Sequence, residues 1–370
     1  MLATFPPTAC GIATFSAALC TGLETLGAEV EIVRVGDGLP TRDPRVVAEL
    51  IDGSAASRAG AVRALNDVDI AIVQHEYGIY GGPDGDELVE ILAALDTPPV
   101  VVAHTVLLEP TTHQRVVLEA VAGYARTVVV MTESARVRLT TRFDVDPDKV
   151  VLVPHGAALG APSQPHQAAA QADPLLVTWG LLGPGKGVEW VLDALSMIDD
   201  VRPRPQYLIA GRTHPKVLAA QGEAYRDMLG SRARTLGVGG SVSFDPTYRD
   251  LAGLADLISQ ASVVVLPYDS VDQVTSGVLV DAVAAGCPVI ATAFPHAVEL
   301  LASGAGIVVP RRDPEALADA LRRVLTQPGL RDAMAAEARR LAPDLSWGAV
   351  ARRYLALGER LVDRREAVAR

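Results

Sequence analysis

The chain has 370 residues, enough for two domains of ordinary size, and is 49% hydrophobic but only 4% aromatic. A core rich in Ala, Val and Leu is typical of parallel strands covered by helices. The net charge of −11 argues against a nucleic-acid-binding protein, and no apolar stretch reaches the roughly 18 residues of a transmembrane helix, although peripheral membrane contact stays open.

Apolar segments rich in β-branched residues alternate with segments of helical spacing along the chain. The first helix is predicted from the spacing of Phe15, Leu19, Leu23 and Leu26, and Gly27 closes it. Predicted strands follow at 70–73, 100–102, 128–130, 150–153, 175–178, 207–209, 263–266, 289–290 and 307–309. This alternation predicts βαβ units and parallel sheets, the pattern of an α/β protein.

One clear break interrupts this alternation. Residues 161–173 are rich in Pro, Gln and Ala and have no strand pattern, so we interpret them as an interdomain linker. The linker separates an N-terminal α/β domain, 1–160, from a C-terminal α/β domain, 174–345. Residues 346–370 have an amphipathic pattern and are predicted to form a helix that packs back across the domains.

The cysteines and the N-terminus bear on the cellular compartment. Cys10, Cys20 and Cys287 have apolar neighbours and no metal-ligand spacing, so we expect reduced core thiols. The first residues lack the basic and long apolar regions of a secretory signal. These features predict a cytoplasmic protein.

Histidines follow several predicted strands at their carboxyl ends, where open parallel sheets bind ligands. A single histidine there is most often a helix cap or a buried hydrogen-bonding group. Five of the seven histidines are placed in this way, which indicates a functional edge: His75, His104, His155, His214 and His296. None has the spacing of a metal site, so no metal is predicted.

The glycine-rich loop, residues 180–187 with the sequence GLLGPGKG, follows a predicted strand and precedes a predicted helix. Gly183 and its neighbours allow the backbone to approach an anion, the helix N-terminus offers free N–H groups, and Lys186 adds a positive charge. We interpret the loop as a diphosphate-binding site. A glycine-rich turn with an exposed lysine is the alternative, and a P-loop is disfavoured because Gly187 replaces its Ser or Thr.

A second candidate segment follows the seventh predicted strand. Thr275 or Ser276 is a suitable cap for the next helix. The amides of Ser276, Gly277 and Val278 are expected to face an anion. Asp281 lies one turn further, where a carboxylate can accept hydrogen bonds from ribose hydroxyls. An ordinary capped helix with a surface aspartate is the alternative.

The N-terminal domain has a weaker feature of the same kind. Gly11 and Ile12 stand at the start of the first predicted helix, where their amides could contact a phosphate. Any turn between a strand and a helix favours a glycine at such a position, so the feature is weak alone.

The motifs, taken in order, resemble the group 1 retaining glycosyltransferases (family four), which have the GT-B fold. The resemblance covers nearly the whole chain. It implies two Rossmann-like domains with parallel sheets that face each other across a cleft, the nucleotide being held mainly by the second. It rests on CGIATF at 10–15, QHEYG at 74–78, AHT at 103–105, PHG at 154–156, GLLGPGKG at 180–187, AGRTHP at 210–215 and the segment 273–281.

The resemblance implies transfer of a hexose from a nucleotide diphosphate sugar, GDP-mannose or a UDP-hexose, to a sugar or other hydroxyl acceptor. It also implies retention of the anomeric configuration, without a metal or another cofactor. Asp84-Gly85-Asp86 matches the D-x-D pattern of metal-dependent glycosyltransferases, but its surroundings have the composition of a turn. We therefore interpret it as a loop.

The family's nucleotide-binding residues map onto this chain with three departures. The paired-glutamate motif falls on Gln273, expected at the donor sugar, and on Asp281, expected at the ribose. The family's lysine falls on Lys186, but its arginine falls on Leu181. Arg212, in the next loop, is a candidate to supply the missing charge.

The resemblance and the histidine pattern together predict catalytic and acceptor residues. His104 is the candidate for hydrogen bonding the donor sugar, and with Lys186 and Gln273 it forms the predicted catalytic set. His75, Glu76 and Tyr77 are expected on the acceptor side. Because of the three departures, two alternatives stay open: an epimerase or phosphorylase on the same fold, and a non-catalytic nucleotide-sugar-binding protein.

Overall fold

A computed structural model describes residues 1–157, 173–247, 249 and 251–369. The chain forms two compact units, one made of Met1–Gly156 and Trp347–Arg370 and the other of Ala157–Ser346. None of the helices in the described ranges has the length and hydropathy that a membrane-spanning segment requires.

The first unit is built on a seven-stranded parallel sheet with the order β3-β2-β1-β4-β5-β6-β7. Its central strands are apolar and buried on both faces, as expected of a parallel sheet covered by helices. The elements up to residue 156 are β1 Leu2–Ala3, α1 Gly11–Thr25, β2 Ile32–Val35, β3 Val46–Leu50, α2 Ala55–Asn66, β4 Ala71–His75, α3 Glu87–Ala93, β5 Pro99–Ala103, α4 Thr112–Tyr124, β6 Thr127–Val130, α5 Glu133–Arg142 and β7 Val150–Leu152.

The second unit is built on a six-stranded parallel sheet with the order β10-β9-β8-β11-β12-β13. Apolar helix faces cover both sides of this sheet and form two core clusters. Its elements are β8 Leu175–Trp179, α6 Val188–Ser196, β9 Gln206–Ala210, α7 Pro215–Gln221, α8 Ala224–Thr235, β10 Val242–Asp245, α9 Leu251–Gln260, β11 Val263–Leu266, α10 Gly277–Ala284, β12 Val289–Thr292, α11 Pro295–Leu300, β13 Gly306–Val309, α12 Pro314–Thr326 and α13 Leu330–Leu345.

The last helix, α14 (Trp347–Ala369), belongs to the first unit and packs on α1. The approach is close, since a Cβ atom at Gly22 of α1 would lie 2.8 Å from the Cβ of Ala351. The residues of its amphipathic pattern are buried in the core of that unit: Val350, Tyr354, Leu357 and Leu361.

The two parallel sheets confirm the predicted α/β fold, and all nine predicted strands are present. The apolar pattern did not indicate β1, β2, β3 and β10. Strand β1 has only two residues, and β2 contains Arg34, a residue type that sequence patterns place at the surface. Arg34 is fully buried because its guanidinium donates to Phe5 O (3.3 Å), Leu39 O (2.8 Å) and Glu49 Oε1 (2.7 Å).

The predicted linker, 161–173, lies outside the described residues except for Asp173. The second unit starts at Ala157, whose N–H donates to Leu345 O at 2.6 Å.

The prediction of three core thiols is wrong at one position. Cys20 and Cys287 are buried, which raises their pKa values to about 11 and about 12. Cys10 is only half-buried, because it is the N-cap of α1, where its Sγ accepts from Ala13 N at 3.3 Å.

Candidate functional site

Each sheet has one point at which the strand order reverses, between β1 and β4 in the first unit and between β8 and β11 in the second. Open parallel sheets bind ligands beyond the carboxyl ends of the strands at such points. In the second unit, β8 leads into the glycine-rich loop and β11 leads into residues 267–276, called the 267–276 loop below. The two segments singled out in the sequence therefore follow adjacent strands at the switch point.

The glycine-rich loop and the 267–276 loop are in direct contact. Asp269 N donates to Gly185 O at 2.9 Å. Gly187 has a φ of +68°, and a Cβ atom there would lie 1.9 Å from Pro267 O. Only glycine combines this backbone conformation with so close an approach. The contact brings the N-termini of α6 and α10 to the same edge of the sheet.

Lys186 lies at this contact. Its Nζ is 4.5 Å from the centroid of the Tyr268 ring, and burial lowers the pKa of the ammonium group. The Tyr268 ring stacks on Phe294, with 5.2 Å between the ring centroids. A partly desolvated ammonium group on a fixed aromatic ring favours an incoming anion, which would restore the stabilisation that water no longer provides.

The N-terminus of α10 differs from the prediction in one respect. Ser276 caps the helix, its Oγ accepting from Leu279 N at 3.3 Å. However, Ser276 N donates to Nδ1 of the buried His296 at 2.8 Å. The prediction that the Ser276 amide faces an anion is therefore wrong, because the imidazole of α11 already satisfies it. Within the described part of the chain, the amides of Gly277 and Val278 have no acceptor.

The side chains around this helix start are placed as follows. Gln273 Nε2 donates to Thr275 O, so the side-chain amide braces its own loop. The Thr275 hydroxyl is buried and has no hydrogen-bond partner among the described residues. Asp281 is half-buried, one turn into α10. The contacts predicted for Gln273 with a sugar and for Asp281 with a ribose stay predictions.

The loop after β9 pairs with the glycine-rich loop. Leu182 N donates to Arg212 O at 2.9 Å, and His214 N donates to Leu182 O at 2.8 Å. A Cβ atom at Gly183 would lie 3.0 Å from Cγ2 of Val217 in α7. This pairing places the half-buried Arg212 beside the glycine-rich loop. His214 is a helix cap, its Nδ1 accepting from Lys216 N at 3.1 Å.

In the first unit, His104 follows β5 and lies against α1. Its Nε2 is 2.7 Å from Oε1 of the buried Gln74, and its ring meets Phe15 edge-on at 4.9 Å. His155 contacts the same Phe15 ring at 5.0 Å. Burial lowers the pKa of His104 to about 3 and that of His155 to about 4. Both imidazoles are therefore neutral at neutral pH.

The three residues predicted for the acceptor side lie at the end of β4. His75 is only 1% exposed, neither of its ring nitrogens has a partner among the described residues, and burial lowers its pKa to about 4. The hydroxyl of Tyr77, whose ring is 5.1 Å from that of His75, is likewise buried without a partner in the described chain. Glu76 accepts from Tyr77 N at 3.0 Å and from Thr105 Oγ1 at 2.5 Å. His75 and Tyr77 thus retain unused hydrogen-bonding capacity.

Gly11 and Ile12 form the first turn of α1, which follows β1. The switch point of the first sheet lies between β1 and β4, so this turn and the end of β4 are on its two sides. Gly11 is exposed, and no atom lies within 4 Å of the position that a Cβ atom would take. The backbone there is open to solvent and to a ligand.

The sequence indicated no individual role for Gln74, Tyr268 or His296, although His296 is one of the five histidines at the predicted functional edge. Gln74 and His75 are adjacent polar residues at the end of an apolar strand, a signal that could have indicated Gln74. The roles of Tyr268 and His296 depend on their contacts with Lys186 and Ser276, which belong to other segments of the chain. A local sequence pattern does not indicate such contacts.

Comparisons with known proteins agree with this geometry. The sequence model of the family described as "Glycosyl transferases group 1" matches residues 163–341. That range includes the glycine-rich loop, the 267–276 loop and Asp281. Residues 163–341 of this chain are therefore similar to the group 1 glycosyl transferases. His75, Glu76, Tyr77 and His104 lie outside the matched range.

Curated relatives have similar sequences, and solved structures have a similar fold. The chain is 32% identical to a D-inositol 3-phosphate glycosyltransferase of Frankia alni over 247 residues, which are 64% of this chain and 59% of the relative. The alignments span about three-fifths of the length of the curated relatives. A glycosyltransferase from Rickettsia africae matches with a TM-score of 0.77 at 15% identity, over 98% of this chain and 97% of that one.

A second solved structure, HepE of Anabaena in complex with UDP and glucose, matches with a TM-score of 0.75 at 15% identity, over 96% of this chain and 97% of that chain. At such identities the likeness concerns the fold alone. The chain has the GT-B fold, as the sequence resemblance implied.

Proposed function

We propose that this protein is a retaining hexosyltransferase, which moves a hexose from a nucleotide diphosphate sugar to a sugar or other hydroxyl acceptor. The main support is the position of Lys186, a partly desolvated ammonium group between two contacting loops at a sheet switch point. These loops lie within the range that matches the glycosyl transferase family.

The reaction requires stabilisation of a diphosphate leaving group as the glycosidic bond breaks. Lys186 and the amides of Gly277 and Val278 supply positive potential where that negative charge grows. Because these groups are part of the folded protein, they need no reorganisation during the reaction. The proposed mechanism is metal-independent, since lysine and helix amides take the role of a bridging cation.

His104 is proposed to bind the donor sugar as a neutral group. The oxygen of the Gln74 amide only accepts hydrogen bonds, so the proton of the His104 ring is on Nε2, 2.7 Å from Oε1. Nδ1 then has a lone pair that can accept from a sugar hydroxyl. We propose substitution on the same face of the sugar, with the leaving phosphate accepting the proton of the acceptor hydroxyl.

The comparisons suggest which donors and acceptors to test. HepE binds UDP and glucose, and the curated relatives are named for transfer to D-inositol 3-phosphate. UDP-glucose and GDP-mannose are the first donors to assay, and inositol 3-phosphate is the first acceptor. His75 and Tyr77, with their unused hydrogen-bonding groups, are proposed to contact the acceptor.

A non-catalytic nucleotide-sugar-binding protein is the second candidate. It is favoured by Gln273, which replaces a family glutamate and whose amide is bonded to Thr275 O. Binding of a nucleotide sugar without its consumption, over a broad acceptor mixture, would support this candidate.

The test starts with thermal shifts caused by UDP, GDP and ADP, followed by donor consumption with the acceptors above. Lys186→Ala should lower turnover by about 10²-fold or more, the scale for loss of one such electrostatic group. Lys149→Ala is the matched control, because Lys149 belongs to the first unit, where its Nζ donates to Gly123 O. Normal turnover of Lys186→Ala would refute the assignment. Loss of activity in EDTA, reversed only by Mg²⁺ or Mn²⁺, would refute the metal-free mechanism.

A further inference from the structure

His296 connects both ends of the segment that leads into α10. It lies in the first turn of α11, and its side chain is buried, 5% exposed. Its Nδ1 accepts from Ser276 N at 2.8 Å, and its own N–H donates to Gln273 O at 3.4 Å. One residue therefore binds the backbone at the start and at the end of the segment 273–276.

The side-chain bond defines the chemistry needed at this position. A backbone amide can only donate, so Nδ1 of His296 must carry a lone pair and the neutral ring is protonated on Nε2. The side-chain oxygen of asparagine is the same number of bonds from Cα as Nδ1 of histidine. The side-chain oxygen of glutamine is one bond further from Cα, as Nε2 of histidine is. The two amides thus form a matched pair, of which only asparagine restores the acceptor.

The bond also determines which amides of α10 are available. Ser276 N is satisfied by His296 and Leu279 N by the Ser276 hydroxyl, at 3.3 Å. The amides of Gly277 and Val278 are left without an acceptor within the described residues. Tyr268, which supports Lys186, belongs to the same 267–276 loop as Ser276. Displacement of Ser276 would therefore move two parts of the proposed diphosphate site.

We propose that His296 is a positioning residue of the donor site: by accepting the Ser276 amide through Nδ1, it aims the first turn of α10 at the diphosphate of the donor. This inference rests on the proposed function. It gives His296 no direct contact with the substrate, and it assigns the required group to one nitrogen of the ring.

The experiment compares the full-length wild type with His296→Asn, His296→Gln and His296→Phe. The probe is UDP, or whichever of UDP, GDP and ADP the wild type binds most tightly, and affinity is measured by calorimetry. His296→Asn should retain affinity within about threefold, whereas His296→Gln and His296→Phe should weaken it about tenfold or more, because the amide loses its acceptor. Hydrogen exchange of the Ser276 amide should accelerate in the Gln and Phe variants only.

The outcomes separate this inference from the proposed function. Wild-type affinity in all three variants would overturn the positioning role. An equal loss in all three, with equally lowered melting temperatures, would also overturn it, because packing of the ring would then explain the effect. If the wild type binds none of the three nucleotides, the proposed function itself fails and the inference falls with it. Rescue by asparagine alone supports it.

Discussion

Gly187 permits the contact between the glycine-rich loop and the 267–276 loop, and Gly187→Ala tests whether the site needs that contact. The residue has a φ of +68°, and a Cβ atom would lie 1.9 Å from Pro267 O. Carbon and oxygen atoms that are not bonded do not approach so closely. The alanine variant must therefore separate the two loops, and with them Lys186 and the start of α10.

A neighbouring glycine provides the matched control and allows the magnitude to be worked out. Gly185 also has a positive φ, +86°, but no atom lies within 4 Å of its Cβ position. Both alanine variants carry the cost of a left-handed residue, roughly 1–2 kcal/mol. Only Gly187→Ala adds a displacement of about 1 Å, which at a reacting centre can lower the rate by about 10²-fold.

The assay measures kcat/KM for donor consumption, UDP affinity and melting temperature for both variants. We expect similar decreases in melting temperature, but a loss of kcat/KM of about 10²-fold in Gly187→Ala alone. If Gly187→Ala has the same activity and UDP affinity as Gly185→Ala, the site does not need the contact between the two loops.

Two further predictions follow from the side chains. Asp281→Ala should weaken binding of free UDP or GDP with little change in melting temperature, because the residue is half-buried at the proposed ribose position; unchanged affinity in calorimetry would remove it from the site. His75→Leu should reduce the loss of stability on acidification. The folded-state pKa of His75 is lowered to about 4, so its stabilising contribution is complete above the unfolded value near 6.5 and decreases as the pH falls toward 4. Between pH 7 and 5, the loss of unfolding free energy due to His75 is about 2 kcal/mol. Melting temperatures measured across this pH range would contradict the prediction if the variant and the wild type lost stability equally.

Much of the fold could be predicted from local patterns. Segments such as Val100–Val102 and Val263–Leu266 are β-branched and bounded by turn residues, so strand formation and burial follow from the same few residues. This pattern did not indicate strands β1 and β2. The first is too short to show a pattern, and the second contains Arg34, whose burial is stabilised by Glu49 on β3 and by Leu39 in the segment after β2.

The candidate site was predictable where it depends on the backbone and not where it depends on distant side chains. A glycine-rich segment between a strand and a helix indicates an anion site because glycine conformation and helix N-termini are local properties. The use of the Ser276 amide was predicted wrongly, since its acceptor is on a helix that follows the next strand. Gln74 was missed for the same reason, because its partner His104 follows another strand.

Local patterns along the chain are enough to predict the alternation of strands and helices, the positions of the two loops proposed to bind an anion, and the likeness to a family. Which strands are neighbours is seen only in the folded protein, and so is the meeting of the loops after β8 and β11 at a switch point. The fold also places α14 against α1, at the opposite end of the chain. The physical reason is that periodicity and turn chemistry act over a few residues, whereas packing and hydrogen bonding join residues that only the folded sheet order brings together.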